Sequence, residues 1–167
     1  MKRGRFIVGA VVVFALFALT APAASARGGG WQYSGNPGDF GVGCPAGPID
    51  VHTLAAREYF RTRALPDGTT LIQVTGSLKF RITNPANGRS TFVNASGPSV
   101  GPWRLQARPN GDFLFAATGR NFIFGVPGFP DVSVSSGPVA ILITQQGVVV
   151  ERLPRHIVDI CALLGAE

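Results

Sequence analysis

The chain has 167 residues, a formal charge of +6, and 46% hydrophobic against 14% charged residues. That balance excludes a disordered polyelectrolyte, and two cysteines are too few for a disulfide-dense miniature scaffold. The charge itself is uneven, because three of the basic residues fall within the first five positions.

Residues 1–26 have the pattern of a signal peptide. Lys2, Arg3 and Arg5 form a positive start, Phe6 to Leu19 is an apolar run, and Ala24-Ser25-Ala26 is a small-x-small site that predicts cleavage between Ala26 and Arg27. The apolar run is shorter than the roughly 20 residues needed to span a membrane, and Pro22 follows it. The leader lacks adjacent arginines, which favours the general secretory route, and no cysteine stands at the cleavage point for a lipid anchor. The expected product is a secreted, extracellular protein of residues 27–167 with no transmembrane span. Removing Lys2, Arg3 and Arg5 leaves 12 of the 15 basic residues against 9 acidic ones, a net charge of +3. Lys79 is then the only lysine, and the Arg, Gly, Pro and Ala enrichment has the look of a GC-rich genome. So mild a charge argues against nucleic acid as a partner.

Residues 27–43 form a glycine-rich arm punctuated by Trp31, Tyr33 and Phe40, for which an extended, loosely ordered conformation is expected. Cys44 and Cys161 lie near opposite ends of the mature chain. In an oxidising compartment an even pair predicts a disulfide; the alternatives are a reactive thiol and a metal pair, and no Cys-x-x-Cys supports the latter.

From Ile49 onward the hydrophobic period is two, and short β-rich runs alternate with turn clusters. Phe60–Gly76 (FRTRALPDGTTLIQVTG) aligns without gaps on Trp103–Gly119 (WRLQARPNGDFLFAATG), 43 residues further on, with seven of seventeen positions identical. Each unit predicts a hairpin whose Pro-Asp/Asn-x or Pro-x-Gly turn chemistry fixes the register. Ala64 should face Thr70, Thr62 face Ile72 and Phe60 face Val74; likewise Ala107 should face Phe113, Leu105 face Phe115 and Trp103 face Ala117. A 43-residue period fits either a duplication or two hairpins with the same turn chemistry. Ser77 to Thr83 alternates Leu78, Phe80 and Ile82 inward with Lys79 and Arg81 outward, and Ser90 to Ala95 should pair back on it. Phe122 to Phe124, Val139 to Ile143 and Val148 to Val150 are apolar on both faces, as in strands covered by another layer or paired in an oligomer. His156 to Leu164 fits a last strand or a short helix.

The expected architecture is all-β: a single domain over residues 44–165, an antiparallel meander of about eight strands, closed as a barrel rather than packed as a sandwich.

Chemical motifs are sparse. Asp50-x-His52 and His156-x-x-Asp159 each place a carboxylate near an imidazole, but there is no Gly-x-Ser-x-Gly elbow, no His-x-His and no phosphate-binding glycine loop. No cofactor, metal or catalytic residue is assigned on this basis. Arg57, Arg61, Arg63, Lys79, Arg81 and Arg104 fall on one predicted face, a basic stripe that would suit an anionic cell-wall polymer, lipid headgroups or an ordinary solvated surface. Phe60, Phe80, Trp103, Phe113 and Phe115 share the inward face and would line an apolar ligand cavity if the barrel were hollow, or fill its core if not. Asn94-Ala95-Ser96 is a glycosylation sequon, relevant only to a eukaryotic secretory path.

The leader, Cys44, Leu65-Pro66-Asp67-Gly68, Thr118-Gly119-Arg120-Asn121 and Val158-Asp159-Ile160-Cys161-Ala162-Leu163-Leu164 together resemble small secreted β-proteins of GC-rich Gram-positive bacteria. That resemblance spans most of the mature domain, but its motifs are structural and it implies no catalytic or binding residue. The expected function is non-enzymatic: an extracellular protein that binds a cell-envelope polymer or an apolar small molecule. The alternatives are a small secreted hydrolase using His52 or His156, and a self-associating surface protein.

Overall fold

The computed structural model describes residues 30–96 and 103–167, with the side chains of residues 103–105 outside the description. The signal peptide and its Ala26–Arg27 cleavage point lie outside the described residues. Among the described residues there are twelve strands and one short helix: β1 (Gln32–Tyr33), β2 (Phe40–Cys44), β3 (Gly47–Ala64), β4 (Thr70–Thr83), β5 (Ser90–Asn94), β6 (Trp103–Ala107), β7 (Phe113–Ala117), β8 (Arg120–Phe124), β9 (Val132–Ser136), β10 (Val139–Thr144), β11 (Gly147–Arg152), β12 (His156–Asp159) and α1 (Ile160–Leu163).

The chain is therefore all-β and antiparallel, with more strands than expected. Two of the extra strands come from the glycine-rich arm, where β1 and β2 both pair with β3. At the other end, His156 to Leu164 is strand and then helix: Asp159 caps α1 by accepting a hydrogen bond from the Ala162 N–H.

The long β3–β4 hairpin is the spine. Its register is the one its turn chemistry dictates, with Ala64 opposite Thr70, Thr62 opposite Ile72 and Phe60 opposite Val74. The β6–β7 hairpin likewise sets Ala107 opposite Phe113 and Leu105 opposite Phe115. The two turns share one hydrogen-bond pattern, offset by 43 residues. Leu65 N–H donates to Thr69 O and Gly68 N–H to Leu65 O, as Arg108 N–H donates to Asp112 O and Gly111 N–H to Arg108 O. The hairpins then pair edge to edge, β4 with β6, so both lie in one sheet.

That nine-stranded sheet runs β1-β3-β4-β6-β7-β10-β11, with β2 on β3 and β5 on β4 as side partners. It does not close into the expected barrel: among the described residues β11 pairs only with β10. The physical reason lies at Thr118-Gly119. Gly119 has φ +92°, a conformation open to glycine, and the chain turns there out of the large sheet. β8 then starts a separate three-stranded sheet, β12-β9-β8. Its two-sided apolar sequence follows from that position. Phe122 and Phe124 face a first core with Ile49, Val51, Leu78, Phe80, Ile82, Val132, Ile160 and Leu164. Ile123 points the other way, into a second core with Ala117, Val126, Val139 and Ile141. Phe40, Phe80, Phe122 and Phe124 join in a chain of edge and tilted ring contacts across the first core, with centroids 5.4 to 6.3 Å apart.

Cys44 and Cys161 form a disulfide over a separation of 117 residues, with Cα atoms 5.7 Å apart. Asn84 and Asn87 reinforce it from the β4–β5 loop, where their side-chain amides donate to the carbonyl of Leu164, and Ala46 N–H donates to Ala166 O.

Candidate functional site

Strand β3 builds the site through one irregularity. Thr53 pairs with Phe80, but Ala55 pairs with Lys79, so Leu54 is an extra residue in the ladder. A bulge of this kind reverses which side chains point outward beyond it. Before it, Ile49 and Val51 face the first core and Asp50 and His52 face solvent. After it, Ala56, Glu58 and Phe60 take the inner face and Arg57, Tyr59, Arg61 and Arg63 the outer one.

The outer face of the hairpin collects cations. Arg57, Arg61 and Arg63 on β3 lie beside Lys79 and Arg81 on β4, all five exposed. Among the described residues none of the five makes an ion pair with a carboxylate. Arg104, the sixth expected member, takes the register position opposite Gln73 on β6; its side chain is outside the description. Between the arginines of β3, the β4 row supplies Gln73, Thr75 and Ser77, opposite Arg61, Tyr59 and Arg57.

Aromatic side chains share this face. Register pairing sets Tyr33 of β1 beside Tyr59 of β3, with ring centroids 5.8 Å apart and planes tilted by 58°. The Tyr33 hydroxyl donates to Ala56 O at 3.0 Å, which fixes the ring. The Arg61 guanidinium stacks over Trp31 at 4.7 Å from the ring centroid, and its Nε donates to Gln73 Oε1 at 2.6 Å. At the far end Arg81 lies over Phe92 of β5 at 5.1 Å. Trp31, Tyr33 and Phe92 escaped the sequence-level stripe. No period marks the two-residue β1, but the alternation of β5 places Phe92 opposite Arg81, a usable signal.

Glu58, the carboxylate nearest these arginines in sequence, is turned inside. It is 5% exposed, opposite Gly76, and flanked on the inner face by Ala56, Phe60, Val74 and Leu78. Burial pushes its pKa up from 4.5 to about 7. Gly76 has φ +136°, and a Cβ there would lie 2.7 Å from the Glu58 Cα, so only glycine fits this crossing.

The two histidines have other surroundings than their sequence neighbours suggest. His52 Nδ1 meets Asp39 Oδ2 at 2.6 Å, in place of the expected Asp50, and both groups are exposed. The Thr53 N–H, and then His52, hold the Asp39 carboxyl below its ordinary range. His156 sits on β12, and Asp159, its expected neighbour, is occupied in capping α1. Among the described residues no cluster of three His, Cys, Asp or Glu could hold a metal, and no helix is long and apolar enough to cross a membrane.

The inward aromatics are divided. Phe80 is fully buried in the first core, and Phe115 packs on the second. Phe60 and Phe113 are half-buried on the inner face, and the Trp103 side chain lies outside the description. Phe80 and Phe115 thus belong to different cores. The chain matches no protein-family model, no curated protein and no solved structure.

Proposed function

We propose that this is a secreted, non-enzymatic binding protein whose outer β3–β4 face engages an anionic polymer of the cell envelope. One observation carries the proposal: five cations with no carboxylate partner among the described residues line a single exposed sheet face, and Glu58, the acid next to Arg57 in sequence, is buried on the other side. Between Lys79 and Arg63 the strand extends about 27 Å at the usual rise, a span suited to an extended polymer. A flat cationic surface concentrates anionic ligands and loses strength as salt rises. The disulfide and the leader fit an oxidising, extracellular setting.

Titration of the protein with polygalacturonate and with inorganic polyphosphate at low salt tests this. Binding to both, weakened by added salt and by at least about tenfold in an Arg63→Ser, Lys79→Ser, Arg81→Ser variant, is the expected result. Absence of binding to either polymer at low salt would overturn the proposal.

A further inference from the structure

The aromatic end of the basic face has features that charge attraction alone does not require. Trp31, Tyr33 and Tyr59 are 42%, 54% and 43% exposed. Single exposed aromatics are ordinary, but three adjacent ones on one sheet face are unusual. They are also held in place. Tyr33 is tied through its hydroxyl to Ala56, and Ser34 clamps the end of β1 by donating both its N–H and its hydroxyl to Glu58 O at 3.0 Å. Arg61 is fixed by Gln73 and stacks on Trp31. Side chains already ordered lose little entropy when a ligand arrives.

We infer that this cluster is a subsite for a sugar ring, so that the polymer recognised by the face is an acidic polysaccharide. The inference rests on the anionic-polymer reading and narrows its ligand class. Aromatic faces attract the polarised C–H groups of a pyranose, and sugar hydroxyls need donors and acceptors beside the ring. Both are present: Tyr59 supplies a face, and Gln73, Thr75 and Ser77 form a polar row alongside it. Arg57, with no carboxylate partner among the described residues, stands two positions from Tyr59 on the same face to meet the acid substituent. Single-stranded nucleic acid fits less well. Successive bases stack on aromatic platforms presented along a strand, whereas the Tyr33 and Tyr59 planes are tilted by 58° and one face of Trp31 is covered by Arg61.

Titration of the protein with polygalacturonate, inorganic polyphosphate and oligothymidylate, at matched charge concentration and at low and moderate salt, separates the outcomes. Polygalacturonate should bind about tenfold tighter than polyphosphate and lose less affinity to salt, because ring contacts are not screened. Trp31→Ala with Tyr59→Ala should remove that advantage while weakening polyphosphate binding far less, and Tyr59→Phe should retain it. An unchanged circular-dichroism spectrum and melting temperature of the double variant confirm that its fold is intact. Equal affinity for polygalacturonate and polyphosphate, unaffected by the double variant, would overturn the sugar subsite while leaving the anionic-polymer reading intact. Tightest binding to oligothymidylate, lost in the double variant, would assign the cluster to bases instead. Failure of all three polymers to bind would overturn both readings.

Discussion

Replacing Glu58 with glutamine tests the account of the hairpin most directly. The buried carboxyl has its pKa raised from 4.5 to about 7 by burial alone, with no cation on the inner face beside it. At about 1.4 kcal/mol per tenfold change in proton affinity, that difference corresponds to about 3 kcal/mol. The sign follows from proton counting. Between the two values the folded protein holds a proton that the unfolded chain has released, so stability falls as pH rises. Glu58 therefore contributes its full stability below about pH 4.5, and that stability is lost by the time the pH exceeds about 7. Glutamine has the shape of the protonated acid and does not ionise. Urea denaturation with the disulfide intact should give equal stabilities for the two proteins at about pH 4, and a variant more stable by about 3 kcal/mol at about pH 8.5. Asp39 and Asp67 act in the opposite sense, since their pKa values are lowered and their contribution is lost in acid, but they are common to both proteins and cancel in the difference. A gap between wild type and Glu58→Gln that does not change with pH would refute the reasoning.

Two further predictions concern the frame. Gly76→Ala places a methyl group against the β3 backbone at a φ that alanine avoids, and should cost about 3 kcal/mol or more, read as a fall in melting temperature. Cys44→Ser with Cys161→Ser opens a long loop and should lower the urea midpoint by the equivalent of about 2–5 kcal/mol, with β-sheet circular dichroism retained at low urea.

Much of the sheet was legible in the sequence because turn chemistry fixes register locally. Pro66-Asp67-Gly68 and Pro109-Asn110-Gly111 set both hairpins, and Leu78, Phe80 and Ile82 marked the core side of β4. The bulge at Leu54 went unread, although its signal lies in the parity of the strand. Val51 and Phe60 both face inward although they are an odd number of residues apart, which a period of two forbids without an extra residue. That same parity places Glu58 inside. The failure to close was not legible, because Phe122-Ile123-Phe124 reads the same in a central barrel strand and in a strand packed between two cores. The basic stripe was visible in β3 and β4, but its aromatic end depends on β1, two residues in a glycine-rich arm whose docking is decided by tertiary contacts of Tyr33 and Ser34.

The first core draws on Ile49 at one extreme and on Ile160, Leu164 and Ala166 at the other. Its contacts therefore span more than a hundred residues of chain, and loop closure over that distance slows assembly relative to a hairpin. The β3–β4 spine can form early from local pairing, yet its inner face is covered only when β8 and β9 pack on it, and fully only when residues 160–166 arrive and Cys161 meets Cys44. A ribosome that still holds those residues therefore holds the chain with that face open and aggregation-exposed, and the Cys44–Cys161 bond fastens the last element in place once it has arrived.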